Sequence, residues 1–505
     1  MPQALPKNAW LVLFCISLAQ LMSVMNVTFI FTALPQIAID LHTSLAGVQW
    51  IVIANTLTLA ATVPLWGRLS DIYERKDLFL LGIAMFVVGA AIASQANGTT
   101  LLIAARALQG LGGASMMANA LAIVTDVFPL YHRGMAYGLL SVMVSSGGAL
   151  GPAVGGTIIT HFGWDAAFLF ITAMGLIILA LAWAFVPRGH GVRRREPVDW
   201  LGAVILGGAL ATMLLAVTRG QTWGWDSNRI VGLFTAGGCL LLVFLLLENR
   251  SRFPLIRLGQ FRNISLATAQ LAALFSLGAI SVHDFIVPFF WQAARGYSAQ
   301  EAGLLMLPFP VGSLVGAPLS GRLLRHGNAR ALSLLGLGFV LAGLLAASQI
   351  TVDTAMANVF WRFWLVGFGF GFFISPNNSL VMSLVPAWGR GSASGVLGMF
   401  RMIGAATGTA VSGTVLGAVI SGQYLGLSGS LVTKQDFLAV RGDPARLFQL
   451  NRAFEDGFEA AFLVSIGFTL TAMLLTVFST GRLAEAAEQP EEARKQEAGS
   501  LSELP

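Results

Sequence analysis

Gly138-Leu-Leu-Ser-Val-Met-Val-Ser-Ser-Gly147-Gly148-Ala-Leu-Gly151-Pro152-Ala-Val-Gly155-Gly156 decides the fold of this 505-residue chain. The run is apolar enough to cross a bilayer. Its small residues fall on two neighbouring helical stripes, 147/151/155 and 148/152/156. That spacing lets other helices pack backbone to backbone, and Pro152 adds a bend. The pattern recurs: Gly138, Gly147, Gly151 and Gly156 are matched 257 residues later by Gly395, Gly404, Gly408 and Gly413. An apolar glycine-studded helix written twice indicates two related halves.

At roughly 20 apolar residues per crossing, fourteen spans can be placed outward from these two. They lie near 11–34, 48–66, 78–95, 100–124, 136–160, 166–186, 200–217, 230–247, 264–292, 302–324, 330–349, 358–384, 393–420 and 459–480. Composition agrees: 56% of residues are hydrophobic, only 11% are charged, and mean hydropathy is +0.75, whereas a soluble domain carries about 25% charged residues. The first span runs without a small-residue cleavage site, so a retained helix is expected. Cys15 and Cys239 sit inside apolar spans and cannot form a disulfide framework.

The net charge of +6 is read as membrane topology rather than as a nucleic-acid surface. With the N-terminus inside, the inner loops hold sixteen basic residues. They are Arg68, Arg75, Lys76, Arg133, Arg188, Arg193, Arg194, Arg195, Arg250, Arg252, Arg257, Arg262, Arg322, Arg325, Arg330 and Arg390. The short outer loops hold three, Arg219, Arg229 and Arg295. Positive residues stay cytoplasmic, so both termini are expected there. The expected class is an all-α polytopic membrane protein. It has an N-terminal six-helix half (1–187), two inserted helices with cytoplasmic flanks (188–262), a C-terminal six-helix half (263–481) and a polar tail (482–505). Within the second half, 421–457 reads as an outer cap or partly helical loop.

Three blocks carry chemistry. The loop after span 2 reads Gly67-Arg-Leu-Ser-Asp71-Ile-Tyr-Glu-Arg75-Lys76, with Gly321-Arg322 opening its counterpart after span 10. Gly67 would permit close helix approach, and Asp71 could pair with basic groups or helix N-termini to hold an inner gate. Span 4 carries Arg106-Ala-Leu-Gln109-Gly110, echoed by Arg362 on span 12. An arginine inside a span faces a cavity or partner, or snorkels to the surface. The third block is the opening run.

The gate loop resembles the signature loop of the major facilitator superfamily, although Ile72 and Glu74 depart from its pattern. The span-4 and span-5 runs are similar to the arginine and antiporter motifs of that superfamily's drug exporters. With fourteen spans and the outer run Gln221-Thr-Trp223-Gly-Trp225-Asp226, the chain resembles the 14-helix drug:proton antiporters of the EmrB/QacA type from about 10 to 480. The resemblance implies two halves opening alternately to each side, with amphipathic small molecules exported from the bacterial inner membrane against inward proton flow. No cofactor, metal or nucleic acid is expected, and no GxxxxGK[ST] loop for direct ATP drive occurs. A periplasmic adaptor is compatible with the outer loop but not required.

One departure matters most. Family members commonly carry a proton-binding Asp where this chain has Asn26, and Asn cannot titrate. Phe31 likewise stands where a polar residue is usual. Carrying the 257-residue offset back to span 1 puts Asn26 opposite His283, next to Asp284. The sharp expectation is that Asp284, with His283 and across from Arg106, has taken over proton coupling. Burial disfavours a carboxylate's charged form, which suits proton loading near neutral pH. The alternative is that the His283–Asp284 pair is interfacial. Cavity candidates are Asn26, Phe31, Gln109, Phe285, Trp291 and Arg401, with Met25, Phe29, Phe289 and Phe290 as further aromatic and thioether surface. Arg401 either lines the cavity or snorkels inward. Export of an endogenous lipid or metabolite, with altered or absent proton coupling, stays open. A membrane-embedded enzyme or receptor would need a polar catalytic cluster or a soluble domain, and the sequence has neither.

Overall fold

The computed structural model describes residues 8–128, 130–188, 199–251, 258–324, 328–385, 390–423 and 444–479, with 254 and 256. The polar tail, the basic stretch 189–198 and the centre of the outer segment, 424–443, lie outside these residues. The first half comprises α1 (Ala9–Asp40), α2 (Leu45–Ile72), α3 (Arg75–Ala93), α4 (Thr99–Val127), α5 (Leu130–Phe162) and α6 (Trp164–Phe185). The insertion is α7 (Trp200–Trp223) and α8 (Asn228–Arg250). The second half comprises α9 (Ile264–Phe289), α10 in two pieces (Ala299–Leu305 and Pro308–Leu323), α11 (Ala329–Ala347), α12 (Met356–Ser383), α13 (Arg390–Gln423) and α14 (Pro444–Val477). Fourteen helices among the described residues are long and apolar enough to cross a membrane, the number expected.

Local chemistry sets several ends. The Ser44 and Asn263 side chains accept from backbone N–H groups at the starts of α2 and α9, and Ser298 with Glu301 forms a capping box on α10. After Pro288, α9 loosens into a π turn, Phe290–Ala294. The segment read as an outer cap is helical from Pro444, so α14 runs beyond its apolar span. Its charges, Arg452, Glu455 and Asp456, mask an apolar face on which Leu450, Phe454, Phe458 and Ala461 are fully buried.

Glycines weld each half, and they fix the repeat register. A Cβ on Gly110 would lie 2.4 Å from the Asn55 carbonyl oxygen, one on Gly112 2.5 Å from that of Gly82, and one on Gly147 2.7 Å from that of Leu21. The second half repeats the contacts with Gly367 on Phe309 at 1.9 Å, Gly369 on Gly336 at 2.7 Å and Gly404 on Leu274 at 2.0 Å. The α4 and α5 glycines thus recur at 257, but their partners on α2 and α3 recur at 254 (309 − 55, 336 − 82) and on α1 at 253 (274 − 21). Pro35 and Pro288 agree with 253. Three of the four residues of difference have a physical source: the connection between α3 and α4 is residues 94–98, whereas that between α11 and α12 is 348–355, three residues longer. Carrying 257 back to α1 crosses that insertion and one further residue between Pro288 and Phe309, the interval that holds the π turn. The counterpart of Asn26 is therefore Ala279, while His283 and Asp284 match Ile30 and Phe31, which corrects the sequence pairing of Asn26 with His283.

The halves meet along α2–α13 and α5–α10. Direct hydrogen bonds between them, among the described residues, gather where α1 ends, the end expected to face outward. Gln49 Nε2 donates to the carbonyls of Thr409 (3.1 Å) and Ala410 (2.7 Å). Gln292 Nε2 donates to the Thr32 carbonyl at 2.9 Å, and the Gln300 amide to Thr160 Oγ1 at 2.9 Å. The inserted α7 lies across this seam: Trp50 Nε1 of α2 donates to Thr218 Oγ1 (3.0 Å), and Thr414 Oγ1 of α13 to the Val217 carbonyl (3.1 Å).

Candidate functional site

The α5 run works as its two stripes require. Gly147, Gly151 and Gly155 face α1, where added Cβ atoms would strike Leu21, Thr28 and Phe29. On the adjacent stripe, a Cβ on Gly156 would meet the Ala299 carbonyl oxygen at 2.4 Å, and one on Gly303 of α10 would meet the Pro152 carbonyl oxygen at 2.0 Å. One stripe therefore holds α5 within its half, and the other meets the opposite half mainly through backbone, with Thr160 Oγ1 one turn on accepting from the Gln300 amide.

Inside the first half, Arg106 is 1% exposed and snorkels nowhere. Its Nε donates to the Ile51 carbonyl (3.2 Å) and its Nη1 to Gln109 Oε1 (2.8 Å). Gln109 Nε2 continues the chain to Asn26 Oδ1 at 3.4 Å, and Asn55 Nδ2 caps the Arg106 carbonyl at 3.2 Å. Three sequence-selected residues, Arg106, Gln109 and Asn26, thus form one buried network, which Asn55 joins unforeseen. Asn26 Nδ2 and Asn55 Oδ1 have no partner. The position equivalent to Arg106 is Phe363, one residue beyond the expected echo Arg362. Arg362 instead lies over the Trp361 ring at 5.6 Å.

In the second half, His283 is wholly buried and its Nδ1 lies 3.0 Å from Asp284 Oδ1. The ring is enclosed by Phe363 (4.7 Å, edge-on), Phe309 (5.4 Å, stacked) and Phe462 (6.4 Å, edge-on), leaving Nε2 unpartnered. The Asp284 side chain is 24% exposed. It lies ten residues before the end of the π turn at Ala294, about 15 Å along the helix. Arg106 does not join this pair; its hydrogen bonds stay within its own half.

At the end expected to face inward, Arg75 pairs with Asp126 of α4 at 2.5 Å, and Lys76 Nζ donates to the Trp183 carbonyl at 2.8 Å. The Asp71 side chain lies outside the described residues. Gly67 corrects the sequence reading: among the described residues nothing lies within 4 Å of a Cβ placed there, so no described helix contact occupies it.

The aromatic cavity surface also needs correction. Phe29, Phe31, Phe285, Phe289, Phe290, Trp291 and Met25 are all buried in packing, for example Phe29 on Phe168 at 5.2 Å and Phe290 on Phe458 at 4.5 Å. Apolar periodicity does not separate a cavity wall from a helix contact. The half-exposed aromatics beside the His283–Asp284 pair are Phe309 and Phe370, stacked at 6.0 Å, which sequence reasoning missed. Arg401 is half-buried and donates from Nη2 to Asn378 Oδ1 of α12.

Comparison with known proteins matches residues 16–409, most of the chain, to the model of the Major Facilitator Superfamily. The chain is 29% identical to Multidrug resistance protein 3 of Bacillus subtilis (strain 168) over 94% of its own length and 96% of that protein's. It is 30% identical to the Tetracenomycin C resistance and export protein of Streptomyces glaucescens, over 81% and 76%. Among solved structures it resembles a bacterial homologue of the human lysosomal transporter Spinster in an inward-facing, unoccupied conformation. The TM-score is 0.67 with 16% identity, covering 94% of this chain and 98% of that one.

Proposed function

This chain belongs to the major facilitator superfamily, and from that premise we propose that it exports amphipathic small molecules across the bacterial inner membrane by alternating access, in exchange for protons moving inward. Both termini are cytoplasmic in this reading, as the loop charges favour. The observation that carries it is the two-sided α5 stripe. The α1 side makes each half a rigid body, while the α10 side meets the other half mainly through backbone, with one side-chain hydrogen bond from the Gln300 amide to Thr160 Oγ1. A contact with so little side-chain interlocking can part and reclose as a unit, which a rocking carrier requires. In this reading the hydrogen bonds where α1 ends belong to an outer-closed arrangement. The relatives named for resistance and export support the outward direction.

Asp284 is the proton carrier in this reading. It is a part-exposed carboxylate deep along a seam helix, and His283 holds it by one hydrogen bond while the Phe cage fixes the imidazole. A second reading keeps export with altered or absent proton coupling, and Asn26 favours it, because the buried network it joins contains no carboxylate among its hydrogen-bonding partners. No periplasmic adaptor is required. The test is transport in liposomes under an imposed pH gradient, screening lipophilic cations against lipids. Movement that no gradient alters for any substrate would remove antiport. Asp284→Asn is expected to abolish the gradient's effect while exchange without a gradient continues; gradient-driven transport at the wild-type rate would refute the role of Asp284.

A further inference from the structure

Two buried polar groups lie at different depths. One, Arg106, Gln109 and Asn26 of the first half, lies toward the outer end. In the second half a separate group lies toward the inner end, centred on Arg401 of α13, eleven residues in from Arg390, about 16 Å along the helix. Arg401 is half-buried, its single hydrogen bond goes to Asn378, and no carboxylate among the described residues lies within ion-pair distance. An ionised side chain at such depth faces a cavity or a ligand.

Its neighbours show where it faces. On one side of it, Leu397 packs with Leu266 and Ala269 of α9 and Leu380 of α12. On the other, a Cβ at Gly398 would lie 3.2 Å from Met117 Cε of α4, across the seam, and Met117 is exposed. Arg401, three residues beyond Gly398, therefore stands where the halves part. Two further observations point to a ligand there. Gln270 is fully buried with both amide atoms unpartnered, and Asn377, beside Asn378, has an unpartnered Nδ2. Buried amides normally find partners. Register brings Gln270 to the same level: Gly404 sits on Leu274, and Gln270 and Arg401 each lie about one turn inward of that contact.

Asp284 is not the missing counter-ion. Arg401 lies three residues inward of the Gly404–Leu274 contact and Asp284 ten residues outward, a separation of about 20 Å along the bundle. Nor is the group a relic of the repeat. At the structural offsets, Arg401, Asn377, Asn378 and Gln270 match Val144, Ala120, Leu121 and Ser17.

We infer that Arg401, with Asn378, Asn377 and Gln270, forms an anion site for the carboxylate, phosphate or sulfonate head of an amphipathic substrate entering from the inner end. The guanidinium supplies a planar fork of N–H donors and the amides orient the remaining oxygens. The inference rests on the transporter reading and narrows its substrate class.

The test is equilibrium binding of radiolabelled dodecyl phosphate and dodecyltrimethylammonium, equal tails with opposite heads, to the full chain in phosphatidylcholine nanodiscs, with empty discs subtracted. Wild type is expected to prefer the phosphate. Arg401→Gln should lower the phosphate-to-ammonium affinity ratio at least about tenfold, or about 1.4 kcal/mol, with Arg401→Lys and Asn378→Ala intermediate. A ratio unchanged in all three variants, or loss of both ligands alike at a preserved melting temperature, would overturn the site. If Arg401→Gln does not fold, the two milder variants decide by the same ratio. Replacing phosphatidylcholine with phosphatidylglycerol distinguishes the sources: competition assigns the site to a lipid head group, and its absence to a free amphiphilic anion. If wild-type protein moves no probe in liposomes, the export reading falls. If wild type moves probes and the ratio ignores Arg401, only this site falls.

Discussion

Gly303→Ala isolates the contact on which alternating access depends. A Cβ there would stand 2.0 Å from the Pro152 carbonyl oxygen and 2.7 Å from its carbon. Ordinary carbon–oxygen contacts begin near about 3.3 Å, so α5 and α10 must separate by about 1.3 Å to admit one methyl group. Both obstacles are backbone, and no rotamer change relieves them. Overpacking of this size costs about 1–3 kcal/mol, and the cost falls only on the outer-closed state, because opening carries α10 away from α5. The ratio of outer-open to outer-closed molecules should then rise about 5- to 150-fold. Gly147→Ala is the matched control: its Cβ would meet the Leu21 carbonyl oxygen at 2.7 Å, inside one half, and so burdens both states equally. Spin labels at Asn97 and Asp353, exposed on the outer connections of opposite halves, with Cys15 and Cys239 replaced by alanine, report the populations by pulsed dipolar spectroscopy. Gly303→Ala should enrich the longer distance. Gly147→Ala should lower the melting temperature with little change in the distribution. A folded Gly303→Ala protein with the wild-type distribution would refute the reasoning.

Gln109→Leu removes the acceptor of the Arg106 Nη1 bond and the link to Asn26; leaving a buried charge short of a partner should cost about 1.5–3 kcal/mol, read as a lowered melting temperature. Gly67→Ala goes the other way: with nothing within 4 Å of the added Cβ and a helical backbone there, the better helix former should stabilise by up to about 1 kcal/mol, and a clear loss of stability would restore the close approach expected of this motif.

The sequence made the helix count and the α5 stripes legible, because bilayer thickness and glycine spacing act locally. Register between the halves was less so. The glycine offset holds for α4 and α5, but the three extra residues between Ala347 and Met356 break it for α9, α10 and α11, and only backbone contacts reveal where. That insertion, with one more residue between Pro288 and Phe309, moved His283 from apparent partner of Asn26 to counterpart of Ile30. The outer part of α14 was masked because Arg452, Glu455 and Asp456 read as loop, while the buried Leu450, Phe454 and Phe458 hold it as helix. Aromatic residues misled for a general reason: lipid, cavity and neighbouring helix all accept an apolar ring, so Phe285 and Trp291 gave no sign of being sealed in packing. Charged residues carried more information, since a buried charge needs a stated partner. Arg106 was placed correctly inside a span on that ground alone.

With the register corrected, the polar chemistry proves to be written once at each position. Arg106, Gln109 and Asn26 oppose Phe363, Val366 and Ala279; His283 and Asp284 oppose Ile30 and Phe31; Arg401 opposes Val144. The glycine contacts, by contrast, are written twice, Gly147 on Leu21 and Gly404 on Leu274. The two kinds of residue answer different demands. Rigid halves that rock against each other need the same helix packing on both sides of the seam, and backbone contact supplies it without regard to sequence elsewhere. A buried charge duplicated by the repeat would place like charges in both halves of one low-dielectric cavity, where their repulsion is screened least. Keeping the packing and discarding the second copy of each charge leaves Asp284 and Arg401 about 20 Å apart along the bundle, each with an apolar counterpart. The motion can then be symmetric while the proposed proton carrier and the proposed anion site occupy separate depths of one half.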